Sequence, residues 1–169
     1  MTREESIEIY KAHSRRLYNI SLRIVRDSAL AEEIMQDTIL KYLSLDQDRK
    51  PALPMAVTAW LSKTCIRASI DELRKRKREE SFLEEYASEE APTYFAATGN
   101  ETAHEKELPG IDKIKMAIAS LPDAYRLIIN LVLIEGLDYE EISHYTSEKE
   151  GTIRTRYSRA RQMLAERLR

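Results

Sequence analysis

Near the C-terminus, Arg154, Thr155, Ser158 and Arg159 recur at spacings that a helix would gather on one face. In a DNA major groove an arginine bonds guanine O6 and N7 through two parallel N–H groups. Serine and threonine hydroxyls reach bases or phosphates at short range. A solvated amphipathic helix closing a bundle would show the same face, so these residues alone leave both readings open. A second concentration of charge, Arg74-Lys75-Arg76-Lys77-Arg78, suits backbone phosphates or a solvated helix end better than base recognition. Catalytic patterns are missing: the sequence has no glycine-rich phosphate loop, no metal-ligand cluster and no serine elbow. His13, His104 and His144 lie far apart, and the single Cys65 excludes a disulfide framework and fits a reducing compartment. The residue types therefore point to binding, with no cofactor and no metal expected.

The elements that must position these groups read as helices throughout. With four glycines and five prolines in 169 residues, and neither type in the first fifty, a sheet protein would lack its turns. Thr2 and Glu5 form a capping box for a first helix whose face is Tyr10, Leu17, Ile20 and Ile24. Asp27 and Ser28 end it and start a second helix, where Ala31, Ile34, Met35, Thr38 and Tyr42 recur at helical spacing. A third runs from about residue 54 into the basic run near 78, with Trp60 as a core anchor. Beyond a polar stretch, Leu121-Pro122-Asp123 opens a helix, and the run from Leu127 to Ile134 is apolar on nearly every side, which predicts central burial. Gly136 stops that run. Asp138 and Glu141 cap a short helix that turns Ile142 and Tyr145 inward. Ser147 with Glu150 is expected to cap the final one, whose buried stripe is Ile153, Tyr157, Ala160, Leu164 and Leu168. A short helix, a tight turn and a second helix exposing arginine and hydroxyls is the layout of a helix-turn-helix reader. The fold class is all-α: two small helical domains, 1–79 and 109–169, joined by an acidic linker at 80–108.

Charge follows the same division. The total is −2, but residues 60–78 carry +5, residues 79–107 carry −8 and residues 148–169 carry +4. Two basic patches separated by an acidic connector suit a binder whose basic faces are spaced apart. The sequence contains no run of about 18 apolar residues, and its charged beginning is unlike a signal peptide, so a cytoplasmic protein without membrane insertion is expected.

The stretches RLYNISLRIVRDSALAEEIMQDTILKYL and AWLSKTCIRASIDELRKRKR, followed by LPDAYRLIINLVLIEGLDYEEI and EGTIRTRYSRARQMLAERL, together resemble the extracytoplasmic-function (ECF, group IV) sigma factors of bacterial RNA polymerase. The resemblance spans both modules in order. It implies a dissociable polymerase subunit, not an enzyme, that binds core RNA polymerase and directs it to promoter DNA. On this resemblance Glu32, Glu33, Gln36, Asp37 and Leu40 would dock on the largest catalytic subunit. Lys63, Arg67, Arg74 and Lys75 would hold the melted minus-10 element, with a flipped base against the loop between about 44 and 58. Arg154, Thr155, Ser158 and Arg159 would read the minus-35 duplex, with Thr152 and Arg156 nearer the phosphates. An anti-sigma factor is a further candidate partner, and the free protein would be a monomer. Two departures stand out: Arg67 replaces a common asparagine, and Ser147 and Glu148 replace the turn's usual glycine and apolar residue. Ser147 can still cap the reading helix, while the turn is expected to be reshaped.

Promoter elements about 16 base pairs apart lie roughly 55 Å apart along B-DNA. The 29 linker residues would reach about 100 Å fully extended but only about 30 Å as a relaxed coil. The competing reading is a polymerase-independent two-domain helix-turn-helix regulator, which predicts a dimer and a palindromic site.

Overall fold

The computed structural model describes residues 2–86 and 110–169, with side-chain surroundings described for 2–80 and 110–169. Most of the stretch read as the acidic linker, 87–109, lies outside the described residues. All regular structure among the described residues is helical.

The first module is three α-helices, α1 (Arg3–Val25), α2 (Ser28–Leu43) and α3 (Pro54–Tyr86), with a single 3-10 turn at Gln47–Arg49 between the last two. Thr2 Oγ1 accepts from the Glu5 amide, and the Glu5 carboxylate accepts from the Thr2 amide, which completes the box expected at the start of α1. Arg26, in a left-handed conformation, ends the helix, and Asp27 then caps α2 through the Leu30 amide at 3.0 Å. Leu17, Ile20 and Ile24 are buried as the spacing predicts. Tyr10 is not: its neighbour Ile9 takes the packed side of α1 at that level, and Tyr10, one residue around the helix, is 45% exposed. On α2 all five expected residues, Ala31, Ile34, Met35, Thr38 and Tyr42, are buried. From α3, Val57, Leu61, Cys65, Ile66 and Ile70 close the core. Ser69 Oγ donates to the Cys65 carbonyl at 2.8 Å and lies 3.0 Å from Ser21 Oγ, so the buried hydroxyls joining α1 to α3 have partners. Trp60 packs against this core with its ring 5.7 Å from Tyr42. α3 continues to Tyr86, past the basic run, because Glu79, Glu80, Leu83, Glu84 and Glu85 are strong helix formers that contain no breaker.

The second module contains α4 (Ile111–Ala119), α5 (Asp123–Ile129), a π-helical segment (Asn130–Ile134), α6 (Tyr139–Thr146) and α7 (Glu150–Leu168). Ile128, Ile129, Asn130 and Leu131 are buried, but Leu133 and Ile134 are 54% and 45% exposed, so the apolar run is central only in its first half. The reason is the π turn: the Glu135 amide donates to the Asn130 carbonyl five residues back, which rotates the segment's end outward. Gly136, at φ +71°, turns the chain back, and Leu137 buries itself.

The two modules are packed on each other. One buried cluster runs from the first module's core to Ile128, Leu131, Leu137, Ile142 and Ile153 of the second, while Ala117, Leu121, Ile129, Ala160 and Leu164 make a smaller core of their own.

Candidate nucleic-acid interface

Asp138 caps α6 with the expected box: its carboxylate accepts from the Glu141 amide at 2.8 Å, and Glu141 accepts from the Asp138 amide at 3.2 Å. Ile142 is fully buried and Tyr145 is half-buried. The following turn departs from expectation. Ser147 adopts φ +59° and ends α6 by donating its backbone N–H to the Ser143 carbonyl, so it belongs to the helix before the turn. Lys149 stands at the start of α7 without a side-chain cap bond, and no Ser147–Glu150 box forms. The physical reason is register: a residue committed to the left-handed C-terminal position of α6 cannot also be the extended cap of α7. Glu148 does the turn's remaining work. Its carbonyl accepts from Ser143 Oγ at 2.7 Å, and its carboxylate accepts from Arg156 Nη1 at 2.5 Å.

α7 buries Ile153, Ala160 and Leu164 and turns Gly151, Thr155, Ser158, Arg159 and Gln162 to solvent on the opposite side. Thr155 and Arg159, with Thr152, Arg156, Gly151 and Tyr125, line one open groove. The six sequence-derived minus-35 residues thus separate into three environments. Thr152, Thr155, Ser158 and Arg159 are exposed. Arg154 is also exposed, on one flank with its guanidinium 5.5 Å from the Tyr139 ring, where cation–π attraction draws it toward α6. Arg156 lies on the other flank, half-buried and paired with Glu148. Gln162 and Tyr125 join the site although the base-reader set omits them. Gln162 lies on the outward face that the periodicity of α7 defines, whereas Tyr125 reaches the groove only through the packing of α5 on α7.

Along α3, Lys63, Arg67 and Arg74 fall on one exposed stripe, and Lys75 is rotated about 100° away from Arg74. Arg74 and Lys75 lie 4.0 Å from Asp71 and Glu72, contacts that water screens. Arg76 is anchored on Asp27 at 3.1 Å. The bond from the Leu30 amide and the Arg76 guanidinium together hold the Asp27 carboxyl below its ordinary range. Lys63 Nζ donates to Glu141 Oε1 at 2.5 Å, which pushes the lysine's pKa up. Glu32, Glu33, Gln36, Asp37 and Leu40 are all exposed on one side of α2, with Leu40 58% exposed beside the acidic groups. Leu53, just before α3, and Met55, in the first turn of α3, are 69% and 85% exposed.

Contacts between modules were beyond the reach of sequence patterns. Arg23 of α1 donates to Glu135 at 2.6 Å across 112 residues of chain, and Lys63 meets Glu141 across 78. Neither pair follows any local spacing. No helix among the described residues is long and apolar enough to cross a membrane.

Two family descriptions match this chain: "Sigma-70 region 2" over residues 9–79 and "Sigma-70, region 4" over residues 111–164. The RNA polymerase sigma factor SigV of Bacillus subtilis is 30% identical over 90% of this chain and 84% of its own length. The ECF sigma factor SigM of the same organism is 28% identical over 93% and 91%. ECF sigma factor SigE of Mycolicibacterium smegmatis is 30% identical over 93% of this chain, which spans 59% of that longer protein. Among solved structures, the sigma factor RpoE of Bartonella quintana, in complex with the anti-sigma factor NepR, matches in fold with a TM-score of 0.56. That match has 23% identity and covers 98% of this chain and 97% of that one. A region 2 module bearing a basic helix stripe, followed by a region 4 helix-turn-helix in the same order as these relatives, makes this chain a member of the ECF family of RNA polymerase sigma factors.

Proposed function

We propose that this sigma factor reads the minus-35 duplex with Thr155, Ser158, Arg159 and Gln162, the residues α7 turns away from its buried stripe. The observation that carries this reading is their shared outward face on a helix braced by α6. Thr152 and Arg154 flank that face, placed for phosphates and the groove edge. On α3 the stripe Lys63, Arg67 and Arg74 follows the backbone of the separated minus-10 strand, with Lys75 at its border. Leu53 and Met55 give an exposed base an apolar surface to lie against. Glu32, Glu33, Gln36, Asp37 and Leu40 form the core polymerase contact, an acidic strip around one exposed leucine.

The modules are 1–79 and 109–169 with the acidic segment 80–108 between them. The protein works in the cytoplasm as a monomer when free, and it acts on transcription without catalysing a reaction itself. As RpoE of Bartonella quintana pairs with an anti-sigma factor, this chain has an anti-sigma protein as a candidate partner. A polymerase-independent dimeric regulator is disfavoured by its membership in the sigma family.

The test is promoter selection by reconstituted holoenzyme with randomised elements. Arg159→Ala should relax base preference at one or two minus-35 positions and leave the minus-10 preference intact. Arg67→Ala should weaken opening without changing the minus-35 choice. An Arg159→Ala holoenzyme that selects the same minus-35 sequences as wild type would refute the assignment.

A further inference from the structure

The loop that presents Leu53 is tied down by a lysine outside every contact assigned above. Ten residues, 44–53, join the end of α2 at Leu43 to the start of α3 at Pro54. Half-buried Lys50 reaches back across them: its Nζ donates to the Leu43 carbonyl at 3.1 Å and lies 5.6 Å from the centre of the Tyr42 ring. The last carbonyls of a helix lack intrahelical donors, and the helix dipole leaves that end negative, so an ammonium group suits the place. Tyr42 is buried with its ring 5.7 Å from that of Trp60 on α3, so Lys50 is seated where the two helices meet. Backbone bonds from the Arg49 amide to the Asp46 carbonyl and from the Lys50 amide to the Gln47 carbonyl wind the 3-10 turn up to this anchor. Beyond it only Pro51, Ala52 and Leu53 remain before the helix. Proline fixes φ at positions 51 and 54 and restrains the residue before each. Leu53 is thus bracketed between a fixed point and a helix start, although it is itself 69% exposed.

We propose that Lys50 is a positioning residue for minus-10 base selection: by fastening residues 44–53 to the Tyr42–Leu43 end of α2, it holds Leu53 where an unstacked base lies against it. This rests on the minus-10 reading of the loop and α3 given above. An exposed apolar side chain discriminates between bases only when its place is fixed, since a wall that can retreat accepts a purine and a pyrimidine alike. With Lys50 anchored, the span free to move before α3 is three residues; without it, the span is all ten. Closing a loop costs more as it lengthens, and that ratio of lengths corresponds to about a sixfold lower population of the placed conformation. Lys50 itself touches no base. Its loss therefore blunts the choice at one position and leaves the phosphate contacts of α3 as they are.

The test is selection by reconstituted holoenzyme from a promoter library randomised at the minus-10 element. K50M keeps an unbranched side chain and removes the ammonium group, whereas K50R keeps a cation that can meet the same carbonyl and ring. L53A reports on the base surface itself. I20V, a trimmed core residue on α1, is the control for a general loss of stability. K50M should lower the ratio of preferred to disfavoured base at one minus-10 position by up to about sixfold. That position should be the one L53A affects, with minus-35 preference and core polymerase binding at the wild-type level. K50R should recover most of the ratio and I20V should keep it, and amide exchange across 44–53 should be faster in K50M than in either. A shifted ratio in L53A with a wild-type ratio in K50M would overturn the proposal, leaving Lys50 as a cap for α2 alone. Weaker use of every promoter by K50M with no base ratio altered would overturn it too, because Lys50 would then be a phosphate contact. Wild-type ratios in both L53A and K50M would be the failure of the minus-10 reading of this loop, and the proposal would fall with it.

Discussion

Replacing Glu148 with glutamine should make promoter binding more sensitive to salt. Arg156 was expected near the phosphates, but its guanidinium is 2.5 Å from the Glu148 carboxylate, and that pair is only partly exposed. An arginine already neutralised by a neighbouring carboxylate displaces no counterion when DNA arrives. Freed by Glu148→Gln, it would add one phosphate contact, and each such contact steepens the slope of log K against log salt by about 0.9. Over a fourfold change in salt that slope corresponds to about a 3.5-fold change in affinity. The assay is equilibrium binding of reconstituted holoenzyme to a promoter fragment between about 50 and 200 mM salt. Wild type and Arg156→Gln should have equal slopes, Glu148→Gln should be steeper by about one contact, and the double substitution should return to the wild-type slope. A flatter slope for Arg156→Gln alone, with no change for Glu148→Gln, would show that Arg156 leaves Glu148 and binds phosphate in the complex.

Other consequences of the fold can be checked more simply. Ser147→Gly should stabilise the protein by about 0.5–1 kcal/mol in urea unfolding, because a side chain at φ +59° carries the left-handed penalty that glycine lacks. Leu61→Ala, at a fully buried position, should cost about 2–5 kcal/mol in the same measurement. Burial pushes the Cys65 thiol up to about 11, so iodoacetamide at pH 8 should modify it quickly only after denaturation. Because the Asp27 pKa is lowered in the fold, its contribution is present above the unfolded carboxyl value of about 3.9 and is lost as pH falls through the lower folded value. Asparagine at this position would still cap α2 but carries no charge for Arg76. The stability gap between wild type and Asp27→Asn should therefore persist at neutral pH and close in acid below the ordinary carboxylate range.

How far sequence reasoning reached depended on the range of the interaction. Caps whose partners lie three residues apart, at Thr2–Glu5, Asp27 and Asp138–Glu141, were legible because the whole motif is local. The buried stripe of α2 followed from periodicity for the same reason, as did Ile153, Ala160 and Leu164 of α7, while Tyr157 and Leu168 at the stripe's edge and end are only half-buried. Ser147 was misplaced because Ser147 and Glu150 satisfy the capping pattern, yet the backbone uses Ser147 to finish α6. The apolar run to Ile134 looked uniformly buried since hydropathy cannot show a π turn. The outward faces of α2, α3 and α7 were visible, but which arginines on them are already engaged was not. Arg154 on Tyr139, Arg156 on Glu148 and Arg76 on Asp27 are decided by side chains eight to 49 residues away. The pairs joining the modules are longer still, and no spacing rule reaches them.

The most direct test of the central claim is transcription from a promoter library by bacterial core RNA polymerase with and without the purified chain, with RNA 5′ ends mapped by sequencing. Sigma function predicts new start sites that depend on the protein, each preceded by one shared pair of asymmetric minus-35 and minus-10 elements about 16 base pairs apart. No protein-dependent start sites, together with no binding to core polymerase, would contradict it.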